Sequence, residues 1–278
     1  MRVNHNLAAL HALRQGAITE AQLNQSLERL SSGLRINRAA DDAAGLAVSE
    51  RMRAQVRSID QAIRNAQDGV SLIQTAEGAL NEDSAIIQRI RELALQAQSD
   101  TLTAEDRLTL QREVEQLIDE VDRVAQTTEF NTLKLLTGSY TGKKLQIGPN
   151  AGTFYQLTVS FRAMTAMALS LKNASGAKLS VSTASKATAA LTKLDAALDK
   201  LSNERATMGA WQNRLQYAIA SLSISQENMT AAESRIRDVD MAAEMMAFTR
   251  AQILTQAGAT VMVQANLSIQ VVLQLLRG

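Results

Sequence analysis

The sequence has no cysteine and a single proline, Pro149, and only 3% of its 278 residues are aromatic. The absence of cysteine excludes a disulfide framework, thiol catalysis and cysteine-based zinc sites. Few prolines and aromatics argue against a compact, loop-rich fold, whereas abundant alanine, leucine, glutamine, glutamate and arginine favour long helices. The net charge is +1, from 29 basic and 28 acidic residues. No basic run with interleaved aromatics occurs, so a nucleic-acid partner is not predicted.

Two seven-residue repeats of apolar residues predict two long helices that pack against partners along their length. The first repeat consists of Met52, Ile59, Ala66, Ile73, Leu80, Ile87 and Ala94, with Val56, Ile63 and Val70 at the alternate seam position. The second consists of Ala187, Leu194, Leu201, Met208, Leu215, Leu222, Met229 and Ile236, with Leu191, Leu198 and Ile219 at the alternate position. A helix from Ala44 to Gln98 would be roughly 80 Å long, which exceeds the depth of a globular core.

Between these repeats the pattern predicts a shorter helix and a β-hairpin. Thr103 and Asp106 have the spacing of a capping box, and apolar residues then recur at helical spacing through Val124. Residues near 143–161 alternate between apolar and polar around a turn at 148–152, which predicts the hairpin. Residues 162–182 are small, polar and weakly patterned, so no structure is predicted for them.

The segment 31–45 interrupts the helical pattern near the N-terminus. Gly33 ends one amphipathic helix, and Asn37, Asp41 and Asp42 offer oxygens that can cap the next. An ordinary loop with an N-cap is one interpretation. The other is a joint between two coiled-coil domains, each built from both ends of the chain. The first and last segments carry large apolar faces that one short partner each cannot cover, so the chain is expected to order them in an obligate assembly.

The last segment has no charged residue between Arg250 and Arg277. Its length would span a bilayer, but it contains several amides, and burying each without a partner costs about 0.5–2 kcal/mol or more. Four of them fall on one narrow helical face: Gln252, Gln256, Gln270 and Gln274. We therefore expect no membrane insertion and interpret this stripe as facing a wet lumen or polar groups, with the membrane span kept as an alternative.

Many sequence blocks, in order, resemble those of bacterial flagellins, the subunits of the flagellar filament. The N-terminal half carries them at 27–37, 41–45, 64–69 and 75–80, and the C-terminal half at 209–215, 250–254, 256–258 and 272–277. The resemblance implies a mainly α fold: a long antiparallel coiled-coil bundle with a small β-hairpin, both chain ends forming a terminal coiled-coil domain. Residues 1–41 and 235–278 would then be the inner, channel-lining domain, and 42–234 the outer helical bundle. The large variable domains found in the middle of many flagellins are missing.

The resemblance also implies a function and its partners. The chain would be a structural subunit that assembles with itself into a helical filament for motility, outside the cell, after export through the flagellar apparatus without a cleaved signal peptide. An export chaperone, the filament cap and hook-junction proteins would be its partners. The segment 88–96 resembles the part of flagellin read by an animal Toll-like receptor, and by position Arg89, Leu93 and Glu113 would be the main contacts. The alternative interpretation is that these residues serve helix solubility and contacts between subunits.

Other functions receive less support. A hook-filament junction protein shares the terminal pattern and is the alternative within the same class. An enzyme or toxin exported by flagellin-like ends would need an inserted domain, which the sequence lacks. His5 and His11 would point to different faces of a helix, so no metal is predicted, and no cofactor motif was found.

Overall fold

The computed structural model describes residues 6–173 and 175–277, with side chains described through residue 267. The elements are α1 (Leu7–Ser32), α2 (Ala43–Gln98), α3 (Ala104–Thr127), β1 (Glu129–Phe130), β2 (Leu133–Lys134), β3 (Lys143–Gln146), β4 (Gln156–Val159), α4 (Ala184–Arg237) and α5 (Met241–Arg277). The structure is mainly helical, with two small antiparallel two-stranded sheets, β1–β2 and β3–β4. The predicted fold class is confirmed.

The helix ends follow from local chemistry. Asn6 caps α1 by accepting a hydrogen bond from the Ala9 amide, and Gly33 ends it in the left-handed region at φ 72°, where glycine has no steric penalty. Thr103 and Asp106 form the predicted capping box of α3. The hydrogen bonds that Thr103 gives to the Asp106 carboxylate lower the pKa of that group.

The described chain forms two compact units. Unit 1 comprises residues 1–56 and 227–278, and unit 2 comprises residues 57–226. This division falls within α2 and α4, whereas the sequence placed its boundaries at 41/42 and 234/235, next to the joint. The assignment of inner and outer roles to the two parts stays a prediction.

In unit 2 the repeat positions from Ile59 to Ala94 on α2 and from Ala187 to Leu215 on α4 are buried. The alternate seam differs from the one predicted on both helices, because the residues assigned to it are only half-buried. They are Ile63 and Val70 on α2, Leu191, Leu198 and Ile219 on α4, and Val56 in the part of α2 that belongs to unit 1. On α2 the buried alternate positions are Ala62, Gly69, Ala76, Asp83, Ile90 and Ala97, and on α4 they are Ala190, Ala197 and Glu204. Apart from Ile90, small and acidic residues occupy this seam, so it carries little apolar signal in the sequence.

Polar contacts fix the register of the helices in unit 2. α4 runs antiparallel to α2, since Gln212 donates to Glu77 (2.8 Å), Arg91 pairs with Asp195 (2.8 Å) and Gln98 donates to Thr188 (3.1 Å). α3 is also antiparallel to α2, since Arg89 donates to Glu113 (2.9 Å) and Arg107 donates to the Ala97 carbonyl (3.0 Å).

The hairpin β3–β4 lies where it was predicted, with Lys143 opposite Val159 and Gln146 opposite Gln156. It approaches α2 closely, because a Cβ added at Gly69 would lie 2.8 Å from Leu145 Cδ1 on β3. Beyond β4, Phe161 is fully buried between Tyr140 and Trp211, with ring centroids 5.4 Å and 5.9 Å away. The segment that follows, which the sequence left open, contributes several buried side chains to the core: Met164, Ala166, Leu169, Leu171, Leu179 and Val181.

The joint in unit 1 brings two distant parts of the chain together. Arg35 donates its amide to the Arg237 carbonyl (2.7 Å), and the Val239 amide donates to the Gly33 carbonyl (3.1 Å). Asp42 caps the start of α2 by accepting from the Gly45 amide (2.8 Å), as the sequence predicted. The neighbouring carboxylate of Asp41 accepts the amides of Arg38 and Asn37, and these bonds lower its pKa.

Candidate functional surfaces

The terminal helices α1 and α5 pair through a seam of mostly small side chains. They run antiparallel, since Asn6 donates to the Ala265 carbonyl (3.1 Å) and Arg29 lies 3.6 Å from Glu244. The less exposed positions recur at spacings of three and four, which is the pattern of a coiled coil. They are Ala9, Ala12, Gly16, Thr19, Leu23, Ser26 and Leu30 on α1, and Glu244, Phe248, Ala251, Thr255, Gly258, Met262 and Ala265 on α5.

Because mostly small residues fill the seam, many of the large apolar side chains of both helices lie outside it. On α1 they are Leu7, Leu10, Leu13, Ile18 and Leu27, and on α5 they are Met241, Met245, Met246, Ile253, Leu254, Val261, Val263 and Leu267. Each is between 46% and 65% exposed. The pairing of α1 with α5 therefore leaves an extended apolar surface on both helices, where the sequence anticipated uncovered faces.

The amide stripe is described in part. Gln252 and Gln256 lie on α5 with exposed side chains. The side chains of Gln270 and Gln274 lie outside the described residues. Among the helices of the described chain none is long and apolar enough to cross a membrane.

The predicted receptor residues separate into two groups. Arg89 on α2 donates from Nη2 to Glu113 on α3 (2.9 Å) and from Nη1 to Glu92 (3.2 Å). The hydrogen bonds to Glu113 and then to Glu92 raise the pKa of Arg89. The Arg89 and Glu113 side chains are 51% and 44% exposed, so a partner could reach both. Leu93 is only 1% exposed and belongs to the core, so the structure does not bring its side chain to the surface with them.

Two acidic residues in the core of unit 2 were not predicted from the sequence. Asp83 and Glu204 occupy the alternate seams of α2 and α4, and they are 0% and 4% exposed. The sequence pattern that could have indicated their burial is a single acid placed seven residues from an alanine of the same helix. Within residues 6–173 and 175–277 no group of three or more His, Cys, Asp or Glu side chains could hold a metal ion.

Comparisons with known proteins agree on one family. The model of the bacterial flagellin N-terminal helical region matches residues 3–141, and that of the C-terminal helical region matches residues 191–276. The chain is 49% identical to a flagellin of Halalkalibacterium halodurans and 48% identical to one of Bacillus subtilis, each alignment covering 100% of both chains. A solved structure of a putative flagellar hook-associated protein from Vibrio parahaemolyticus superimposes with a TM-score of 0.60 over 71% of this chain and 100% of that one. At 13% identity, that likeness shows the fold alone.

Proposed function

Because the chain belongs to the bacterial flagellin family, it is a structural subunit of the flagellar filament and not an enzyme, and we propose how its surfaces serve that filament. Flagellin assembles with itself, so copies of the chain supply one another's partners. The comparisons give no support to the alternative role as a hook-filament junction protein.

The exposed apolar faces of α1 and α5 are the surfaces through which copies pack in this proposal. The observation that carries it is that α1 and α5 meet through small residues and leave their leucine, isoleucine, valine and methionine side chains accessible. Exposed apolar patches of this extent mark interaction surfaces. Fully burying a leucine or valine gains about 1.5–3 kcal/mol. These side chains are already about half-buried in the single chain, so each gains roughly half of that on assembly, and many such side chains add up in a helical array.

Seeded assembly tests this proposal. Purified monomer is added to short filament fragments and the product is imaged by negative-stain electron microscopy. Leu10→Asp and Leu254→Asp should abolish elongation, because each places a charge on an exposed apolar face. Leu108→Asp is a matched control, since Leu108 is 51% exposed on α3 in unit 2. Normal elongation by both terminal variants, with folding verified by circular dichroism, would contradict the proposal.

In the same proposal residues 1–41 and 235–278 line the channel, and Gln252, Gln256, Gln270 and Gln274 face its water. The absence of cysteine makes single-cysteine labelling clean. Gln252→Cys should react with a bulky maleimide in the monomer, where this position is exposed. In the filament it should be protected from the bulky reagent, which cannot enter the channel, but should still react with a small thiol reagent. Protection from both reagents would mean burial in a subunit contact instead. Leu108→Cys reports on unit 2 under the same conditions. Equal labelling of Gln252→Cys in monomer and filament would rule out a lumen-facing stripe.

A second candidate function is recognition by an animal Toll-like receptor. The exposed ion pair of Arg89 and Glu113 supports it, because a charged pair on neighbouring helices offers a partner both signs of charge. Arg89→Ala and Glu113→Ala should each weaken signalling by the purified monomer. Arg123→Ala and Glu120→Ala are matched controls, since these residues form another solvent-accessible ion pair on α3. Unchanged signalling by both test variants would exclude recognition through this ion pair. Leu93 is buried, so in this proposal it would contribute only by packing in the core of unit 2.

The remaining proposals concern the route to the filament. Family membership supports export through the flagellar apparatus, and contacts with an export chaperone, the filament cap and hook-junction proteins. Cells without a working flagellar export apparatus should retain the chain in the cytoplasm. Its appearance in the medium of such cells at the normal level would contradict this route.

A further inference from the structure

Asp83 is the one place in the α2 seam where a carboxyl group replaces an apolar or small side chain. It lies between Leu80 and Ile87, which are fully buried, and it is itself 0% exposed. Neither carboxyl oxygen has a hydrogen-bond partner among the described residues. A buried carboxyl group without partners is rare, because an ionised carboxylate loses its hydration and gains nothing in return.

No lysine or arginine side chain of the described chain forms a hydrogen bond with Asp83. On α3 the antiparallel register, set by Arg89 with Glu113 and by Arg107 with the Ala97 carbonyl, brings Glu120 level with Asp83. Glu120 is itself engaged by Arg123, at 2.8 Å through Nε. The carboxylate of Glu120 is therefore a like charge facing the Asp83 site.

On α4 the register between the Glu77–Gln212 and Arg91–Asp195 contacts brings Glu204 and Arg205 to the same level. Glu204 accepts the Arg162 amide at 3.2 Å, and its other oxygen lies 4.0 Å from the Arg162 guanidinium. Arg205 has a buried Nε that makes no hydrogen bond in the described chain. On α2 the adjacent acid, Glu82, is exposed. None of these groups bonds to Asp83.

We propose that Asp83 is a pH-sensitive element of the unit 2 core, neutral when α2 and α3 are tightly packed and loosening α3 from α2 when it ionises. The geometry carries this inference: a carboxyl group in a dry helical seam, with no partner and with an acid across from it. Burial, and to a lesser extent the charge of Glu120, raises the pKa of Asp83 from 3.8 to about 7, in agreement with it.

The direction of the pH effect on the stability of unit 2 follows from the protonation state of Asp83 in the folded and unfolded chain. Below the unfolded pKa of 3.8 both states hold the proton, and the titration of Asp83 adds no pH dependence to stability. Between there and about 7 the folded chain holds the proton and the unfolded chain does not. The unfolding equilibrium constant of unit 2 therefore rises by about tenfold per pH unit in this window. Above the folded pKa both states are ionised and this contribution is constant. With respect to this group, unit 2 is thus more stable to unfolding in mild acid than at neutral pH.

Urea unfolding of the full chain at a series of pH values tests the proposal, with hydrogen exchange of the α3 amides as a second measurement. Asp83→Asn should abolish the pH dependence assigned to this group and slow α3 exchange at neutral pH. Asp83→Leu should have the same two effects, because it replaces the carboxyl group by an apolar side chain. It replaces Asp83→Asn in the test if the asparagine variant does not fold. Glu82→Gln, at the adjacent exposed acid, is the control and should match the wild type. Superimposable pH profiles for wild type and both Asp83 variants, or an equal effect of Glu82→Gln, would overturn the proposal.

Discussion

Two glycines inside α2 give a matched test of how closely other elements approach this helix. A Cβ added at Gly78 meets nothing within 4 Å, whereas one added at Gly69 lies 2.8 Å from Leu145 Cδ1 and 3.4 Å from Leu215 Cδ1. Replacing glycine by alanine inside a helix gains about 1 kcal/mol. Gly78→Ala should therefore raise the free energy of unfolding by about 1 kcal/mol, since nothing opposes that gain.

The same gain at Gly69 is opposed by crowding. The end of the Leu145 side chain must move out of a packed position on the hairpin, and overpacking costs about 1–3 kcal/mol. Gly69→Ala should therefore be between neutral and about 2 kcal/mol destabilising. The two variants should differ by about 1–3 kcal/mol although they make the same change in the same helix.

Urea unfolding of the monomer, followed by circular dichroism, measures both variants. The midpoint should rise for Gly78→Ala, with an unchanged dependence on urea. A destabilised Gly78→Ala would mean that another element contacts α2 at this position, and equal shifts for both variants would mean that the hairpin yields at no cost. Either result would refute the packing described for α2 at these two positions, which lie on opposite faces of the helix.

Three further predictions concern unit 2 and the joint. Leu93→Ala should destabilise the monomer by about 2–5 kcal/mol in urea unfolding, because it opens a cavity in the core. A double-mutant cycle on Arg89 and Glu113 should give a coupling of only about 0.2–1 kcal/mol, because the pair is exposed, and the coupling should shrink as salt is raised. Asp42→Ala should cost about 0.5–2 kcal/mol by removing the cap of α2, with faster hydrogen exchange in its first turn as the readout.

The long helices were predictable because their apolar repeats are strong and continuous. α2 begins at Ala43 and ends at Gln98, within a residue of the bounds that the sequence indicated. The alternate seams were not predictable from hydrophobicity, since alanines, Asp83 and Glu204 fill them. Val56 and Ile63 were assigned to the alternate seam instead because they are strongly apolar, although both are only half-buried.

The terminal helices show the same limit. Leucines at Leu7, Leu10 and Leu13 define an amphipathic face, and the sequence correctly indicated that one partner helix could not cover it all. It gave no sign that α5 would pack on a different stripe, because Gly16, Thr19 and Ser26 carry no hydrophobic signal. The stripe of α1 that packs on α5 is determined by the small size of its side chains rather than by their hydrophobicity.

The middle of the chain was harder to predict for another reason. The hairpin β3–β4 has the alternation of a strand pair, but β1 and β2 have two residues each, too few to form a pattern. The segment after β4 has no regular period, and its apolar residues reach the core through irregular backbone. Leu93 lies one helical turn after Arg89 on nearly the same side of α2, so only the three-dimensional structure shows that Leu93 is buried while Arg89 and Glu113 are accessible.

The hydrogen bonds that join residues 33–35 to residues 237–239 also constrain the order in which the chain can fold. Unit 2 is one continuous stretch, 57–226, whereas unit 1 is made of the two ends. A contact such as that between Arg35 and Arg237 closes a very long loop, and the entropy of that closure is lost before the contact is formed. A chain that emerges into solution from one end can therefore complete unit 2 first, and unit 1 must wait for the final residues. Where copies of the chain can assemble, its ordering should have two phases, and only the slower one, in which unit 1 orders, should vanish when either terminus is removed.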